Sequence, residues 1–124
     1  MIYELIMGTV GSGKTTRLLS KAAQQVMVSP IIVITEEMDE HAAFSRINDF
    51  ISPDSFTFEM CVSSVQGGAL FNGQHGLKQQ LVEALERVPD ATHVFVDVLT
   101  AIPTEVFDII GDRELVVTKQ AFRP

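Results

Sequence analysis

The chain has 124 residues, of which 46% are hydrophobic, 20% charged and 7% aromatic. This length suits a single packed domain (residues 1–124) and is too short for two ordinary ones, while the apolar fraction excludes a disordered chain. Sixteen acidic and nine basic residues give a net charge of −7, which argues against a protein that binds nucleic acid through a broad positive face.

Apolar runs of strand length alternate with amphipathic stretches of helix length, a pattern typical of α/β proteins. The predicted elements in chain order are a strand at 2–7, a helix at 14–27, a strand at 31–35, a helix at 38–50, a strand at 56–63, a helix at 77–88, a strand at 94–99, a short helix that begins at Pro103 and a strand at 114–118. This order predicts right-handed crossovers and a mainly parallel sheet, with ligand chemistry at the carboxyl ends of its strands.

Three of the predicted strands indicate where they lie in the sheet. Glu4 places a charge inside the first strand, which favours an edge position. Residues 31–35 are apolar and β-branched without interruption, as expected of a strand that is covered on both faces. Apolar and polar residues alternate from Phe56 to Ser63, which predicts a half-exposed strand near the other edge.

Residues 8–15 read Gly-Thr-Val-Gly-Ser-Gly-Lys-Thr and match G-x-x-x-x-G-K-[ST] in full, between a predicted strand and a predicted helix. In such a loop the glycines let backbone N–H groups curl around a phosphate, the lysine reaches the β- and γ-phosphates, and the threonine hydroxyl binds Mg²⁺. The alternative is a glycine-rich turn without a ligand, which requires a chance match of the whole pattern. The predicted nucleotide-binding residues are Gly8, Thr9, Val10, Gly11, Ser12, Gly13, Lys14, Thr15 and Thr16.

Acidic residues follow two of the predicted strands. Asp97 lies near the end of the fourth strand, where it would hold Mg²⁺ through water; the alternative is an aspartate that caps a turn. Glu36 and Glu37 follow the second strand, where a carboxylate can activate the water that attacks a γ-phosphate. Equally, both could start the next helix together with Asp39 and Glu40, because the amino end of a helix favours acidic residues.

Four segments together resemble the RecA-type ATPase core, most closely that of the DnaB-type replicative helicases and the KaiC-like ATPases. The phosphate loop is the first. Residues 34–38 (Ile-Thr-Glu-Glu-Met) are similar to the motif that carries the family's catalytic glutamate, residues 96–99 (Val-Asp-Val-Leu) to its magnesium-linked aspartate motif, and residues 119–123 (Lys-Gln-Ala-Phe-Arg) to its Ser-Gln-Leu-x-Arg segment. The resemblance runs from about Ile2 to Arg123 and implies a three-layer α/β sandwich with a mainly parallel five-stranded sheet in the order 3-2-4-5-1.

The resemblance also implies roles for individual residues. Lys14 and Glu37 would be catalytic, with Glu37 as the general base and Glu36 as its neighbour or substitute. Gln120 would sense the γ-phosphate; the alternative is a polar residue in a tail. The implied activity is MgATP hydrolysis by a subunit of a homo-oligomer or of a larger ATPase or DNA-processing assembly. The family's long basic DNA loop is missing between Asp97 and Gln120, so any direct DNA binding is expected to be weak.

Two other functions stay open at this point. Residues 5–8 and 12–19 are similar to the phosphate loop and first helix of type II thymidine kinases, but a catalytic glutamate normally follows the magnesium-linked aspartate there, and this chain has Val98. The second is a non-enzymatic switch, in which bound nucleotide changes partner docking through the loop at 63–76 or the tail after Gln120.

Cysteine content and hydropathy bear on the compartment. Cys61 is the single cysteine, so it cannot form an internal disulfide, and the histidines are too scattered to complete a zinc site with it. The apolar runs are far shorter than the roughly 20 residues that span a bilayer, and the amino terminus lacks the basic segment of an export signal. We therefore expect a reduced, cytoplasmic protein without a membrane partner.

Overall fold

The computed structural model describes residues 3–8, 13–36, 38–65, 74–98 and 102–120. Its strands are β1 (Tyr3–Gly8), β2 (Ile31–Thr35), β3 (Met60–Ser64), β4 (His93–Asp97) and β5 (Glu114–Gln120), and the helices within these ranges are α1 (Lys14–Val26), α2 (Glu40–Asp49), α3 (Gln74–Arg87) and α4 (Thr104–Ile110). The predicted alternation of strands and helices is confirmed. Within the same ranges, no helix combines the length and the apolar character needed to cross a membrane.

The five strands form one sheet in which every neighbouring pair is parallel. Their order is β1-β5-β4-β2-β3, which reads 3-2-4-5-1 from the β3 edge. The predicted α/β class with a parallel five-stranded sheet is therefore confirmed. Because all strands run the same way, their carboxyl ends meet along one edge of the sheet.

Helices cover both faces of the sheet. Side chains that alternate along a strand point to opposite faces, and the buried residues of β2 accordingly divide between two hydrophobic clusters. Ile32 and Ile34 pack in the cluster that includes α3 and α4, whereas Ile31 and Val33 pack in the cluster that includes α1 and α2. All five residues of β2 are buried, which confirms that this strand is covered on both faces. The packing produces three layers, helices–sheet–helices.

The edge strands differ in part from the sequence prediction. β1 does lie at an edge, and Glu4 forms an exposed ion pair with Lys21 on α1, with 2.6 Å between Oε1 and Nζ. β3 lies at the other edge but begins at Met60, so the prediction of a strand from Phe56 is wrong for its first four residues. The reason is that β2 begins at Ile31, opposite Met60, so the residues before Met60 have no strand residue to pair with. The Phe58 N–H donates instead to the carbonyl of Val26, at the end of α1, at 2.8 Å.

Candidate active site at the carboxyl edge of the sheet

The carboxyl edge of the sheet brings together several predicted site residues. β1 ends at Gly8, which pairs with Gln120 at the end of β5. On the neighbouring strands Thr35 pairs with Asp97, at the ends of β2 and β4. Gly8, Asp97 and Gln120 are far apart in sequence, and the parallel sheet places all three at one edge.

Gly13 sets the start of α1. It is the N-cap residue, with φ 82° and ψ 18°, a left-handed conformation that strains residues with a Cβ atom and suits glycine. Gly13 has no side chain to cap the first N–H groups of the helix, so these donors are available to an anion. Four predicted loop residues lie outside the described residues: Thr9, Val10, Gly11 and Ser12.

Lys14, the first residue of α1, is the basic residue of the motif. It is only 8% exposed, and within the described ranges it has no hydrogen-bond or ion-pair partner. Lysine is almost never buried without a partner, because an ammonium group loses its hydration there. Lys14 therefore lies, without a partner among the described residues, beside a helix start that no side chain caps, an arrangement that a bound phosphate would complete. Thr15, which follows, is half-buried.

Two arginines lie close to the first turn of α1. Arg17, also on α1, donates from its guanidinium to the carbonyl of Met7 on β1 at 2.9 Å. Arg46, on α2, donates to the hydroxyl of Thr16 at 3.1 Å. Sequence reasoning named Thr16 but neither arginine, since their positions depend on how α1 packs against β1 and α2.

Asp97 is the most buried ionisable residue of the site. Only 1% of its surface is exposed. Its carboxylate lies between two hydroxyl groups, one from each neighbouring strand. Thr118 donates to Oδ1 at 2.7 Å, and Thr35 makes a longer contact with Oδ2 at 3.4 Å. These bonds join side chains across the sheet, which differs from the local contacts of an aspartate that caps a turn.

Sequence reasoning missed Thr35 and Thr118 as site residues. Each is the first polar residue after an apolar run in a strand, and both are buried in the structure. A threonine at that place is a usable signal, because a buried hydroxyl needs a hydrogen-bond partner. The identity of the partner was not predictable without the strand order.

The hydrogen bond from Thr118 to Asp97 should contribute measurably to the stability of the fold. Thr118→Val keeps the side-chain shape but leaves the Asp97 carboxylate with the longer Thr35 contact, so we expect the free energy of unfolding to fall by about 1–3 kcal/mol. Urea denaturation followed by circular dichroism would measure it. Thr57→Val, at an exposed position, is the control and should change the value by less than about 0.5 kcal/mol. Equal stability of the two variants would show that the bond to Asp97 contributes nothing.

The acidic residues after β2 divide into two groups. Asp39 caps α2, accepting a hydrogen bond from the Ala42 N–H at 2.7 Å, and Glu40 lies in the first turn. Glu36 precedes the helix, is half-buried, and its N–H donates to the carbonyl of Asp97 at 2.9 Å. The interpretation that Glu36 starts the helix is therefore wrong, and Glu36 lies beside Asp97 at the sheet edge. Glu37 lies outside the described residues.

Gln120 was interpreted either as a sensor of the γ-phosphate or as a polar residue in a tail, and its position bears on the second interpretation. Gln120 is the last residue of β5 and pairs with Gly8, so it belongs to the sheet and not to a tail. The structure describes only its backbone, and its role toward a phosphate stays a prediction.

The oxygen donors at this edge fit magnesium bound with a nucleotide. Mg²⁺ prefers oxygen ligands and commonly takes only one or two from the protein, completing its shell with phosphate and water. The Thr15 hydroxyl and the Asp97 carboxylate are donors of this type. A cluster of three or more His, Cys, Asp and Glu side chains that could hold a metal ion does not occur among the described residues.

Cys61 does not contribute to the candidate site at the carboxyl edge of the sheet. It lies on β3, where burial raises the pKa of its thiol; Arg87 opposes this shift, and Glu40 and Glu59 add to it. The thiol is therefore protonated at neutral pH, which does not suit a nucleophile. Its role in the structure is that of a buried apolar side chain.

A scan against models of protein families gives no match, and a search of curated protein sequences gives none either. The interpretation of the site therefore depends on the motif, the geometry of the sheet edge and the resemblance described above.

Proposed function

We propose that this chain is a RecA-like P-loop ATPase that binds MgATP and hydrolyses the bond between its β- and γ-phosphates. The observation that carries the proposal is that two elements of a phosphate site, a basic one and an acidic one, lie at the same edge of the sheet. These elements are the start of α1, where Gly13 provides no side-chain cap and the buried Lys14 has no partner among the described residues, and the buried Asp97 carboxylate at the end of β4. Phosphate-loop enzymes need a cationic cradle and a carboxylate near it.

Binding would use the phosphate loop and the first turn of α1. Backbone N–H groups around Gly13 and the positive end of the helix would hold the phosphates, and Lys14 would neutralise the β- and γ-phosphates. The Thr15 hydroxyl would bind Mg²⁺ directly and Asp97 would hold it through water. Bound Mg²⁺ would supply positive charge that neutralises the phosphates during transfer.

Hydrolysis would require a general base near the γ-phosphate. Glu37 would accept a proton from water while the water oxygen forms a bond to the γ-phosphorus and the bond to the bridging oxygen breaks, which releases ADP and inorganic phosphate. Glu36, whose backbone is bonded to Asp97, is the neighbouring carboxylate and the possible substitute. Gln120 would report the γ-phosphate to a partner from the end of β5.

The biological setting of the proposal comes from the resemblance alone. RecA-type subunits complete their sites in oligomers, so we propose that this ATPase acts as a homo-oligomer or with a larger ATPase or DNA-processing partner. The net charge of −7 disfavours strong direct contact with DNA. A nucleotide-dependent switch and a nucleoside kinase are the competing functions.

Glu37→Gln tests the assignment of the base. The variant should bind MgATP as the wild type does, because the change removes a proton acceptor and not a phosphate contact. ADP formation should fall at least about 100-fold. Calorimetry would measure binding, and chromatography of the nucleotides would measure turnover. Glu40→Gln, at an exposed position in the first turn of α2, is the matched control and should retain turnover.

The same assay separates the competing functions. MgATP binding without any ADP formation by the wild type would favour the switch. Transfer of the γ-phosphate to an added nucleoside would favour the kinase. Undiminished turnover in the Glu37→Gln variant would show that another group is the base.

A further inference from the structure

Arg46 is directed from α2 toward the start of α1. Helical side chains lean toward the amino end of their helix, and α2 begins shortly after the end of β2, at the carboxyl edge of the sheet. The Arg46 guanidinium accordingly reaches Thr16, 30 residues away in sequence, and donates to its hydroxyl at 3.1 Å. Thr16 is the third residue of α1, in the turn whose N–H groups Gly13 leaves uncapped.

The charge of Arg46 has no counter-ion in the described part of the chain. The ion pairs found there join Lys21 to Glu4 and His93 to Glu114, although acidic residues outnumber basic ones sixteen to nine. Lys14, two residues before Thr16, is 8% exposed and equally unpaired within the described ranges. Two basic residues from different elements, one in this helical turn and one bonded to it, thus have no ion pair with a described carboxylate, which favours an anionic ligand at this turn.

We infer that Arg46 binds the α-phosphate of the nucleotide, an inference that rests on the proposed function. In phosphate loops, the lysine at the position of Lys14 reaches the β- and γ-phosphates. The remaining phosphate, the α-phosphate, would then lie beside Thr16, further along the same turn. The bond from Arg46 to Thr16 is exposed and contributes little in water, and the guanidinium has further donors to offer. A phosphate oxygen forms a stronger, charge-assisted bond with that group than a hydroxyl does.

This role has a signature in the nucleotide affinities. ATP, ADP and AMP all carry the α-phosphate, so Arg46 should strengthen the binding of all three by the same factor. A residue that contacts the γ-phosphate would favour ATP alone, and one that contacts the β-phosphate would favour ATP and ADP over AMP. Because Arg46 and Thr16 are exposed, the contribution should also shrink as salt rises.

The experiment compares the wild type, Arg46→Gln and Lys21→Gln by calorimetric titration with MgATP, MgADP and AMP. Arg46→Gln should weaken the binding of all three nucleotides about tenfold, with less effect at high salt. Lys21→Gln removes the same charge from an exposed position later on α1 and should leave all three affinities unchanged. Thermal unfolding without nucleotide should be alike in Arg46→Gln and Lys21→Gln, since a merely structural role would lower the Tm of the former.

The outcomes separate this inference from the proposed function. If the wild type binds MgATP and Arg46→Gln binds as tightly as Lys21→Gln, the inference is overturned and the ATPase proposal stands. Weakening that spares MgADP or AMP would also overturn it, because the contact would then be to the γ-phosphate or the β-phosphate. Absence of MgATP binding by the wild type would overturn the proposed function and the inference with it.

Discussion

Lys14→Ala should lose MgATP binding, with affinity at least about 100-fold lower than that of the wild type. Lys14 is the first residue of α1 and is 8% exposed. A phosphate that binds beside its ammonium group forms a charge-assisted hydrogen bond, which is among the stronger polar interactions in proteins. Removal of the ammonium group leaves the β- and γ-phosphates without that charge. Calorimetric titration with MgATP would measure the loss.

Stability measurements make this result specific to the ligand. Lys14 has no partner within the described ranges, so replacement by alanine breaks no described bond, and alanine is the best helix former. We expect the Tm without nucleotide to be equal to or above that of the wild type. Lys21→Ala, on the exposed side of the same helix, is the control for charge and should bind MgATP normally. Retained binding in Lys14→Ala would exclude the phosphate-loop function.

Hydrophobic periodicity was enough to predict most of the helices and strands. The predicted helix at 14–27 and the predicted strand at 31–35 correspond to α1 and β2, because the burial of their apolar residues follows from spacing alone. The start of β3 was not predictable in this way. Phe56 and Phe58 alternate with polar residues as a strand does, but β2 begins only opposite Met60, so this segment has no strand to pair with.

The candidate site was predictable where the motif is continuous in sequence. The glycine at position 13 and the lysine after it occupy the helix start that the loop pattern requires. The partners of Asp97 were not predictable, because Thr35 and Thr118 lie 62 and 21 residues away in the chain. Such contacts depend on which strands are neighbours. The same holds for the contact of Arg46 with Thr16.

The surroundings of Asp97 explain how a carboxylate can remain buried at this edge. Its oxygens accept a 2.7 Å bond from Thr118 and a longer contact from Thr35, and two hydroxyl donors partly replace the lost hydration. The strands that carry these threonines flank β4 on both sides. The sheet therefore holds a negative charge in a fixed position, as a residue that binds hydrated Mg²⁺ requires.

Asp97→Asn should keep the fold and lose most of the turnover. Asparagine has nearly the same shape, and the threonine hydroxyls can rotate to accept from its amide as well as donate to it. The change removes the negative charge that would hold Mg²⁺, so we expect turnover to fall at least about 100-fold, a loss of about 2.7 kcal/mol in transition-state stabilisation. The concentration of Mg²⁺ needed for half-maximal turnover should rise. A magnesium titration of ADP formation would measure both effects.

A matched variant separates the loss of this charge from a general change in net charge. Asp90→Asn alters an exposed aspartate shortly before the same strand and should leave turnover and magnesium requirement as in the wild type. Urea denaturation should show Asp97→Asn to be folded, because both hydroxyl partners remain. Normal turnover in a folded Asp97→Asn variant would mean that the buried carboxylate has only a structural role in the sheet. The magnesium role would then have to be assigned to another residue.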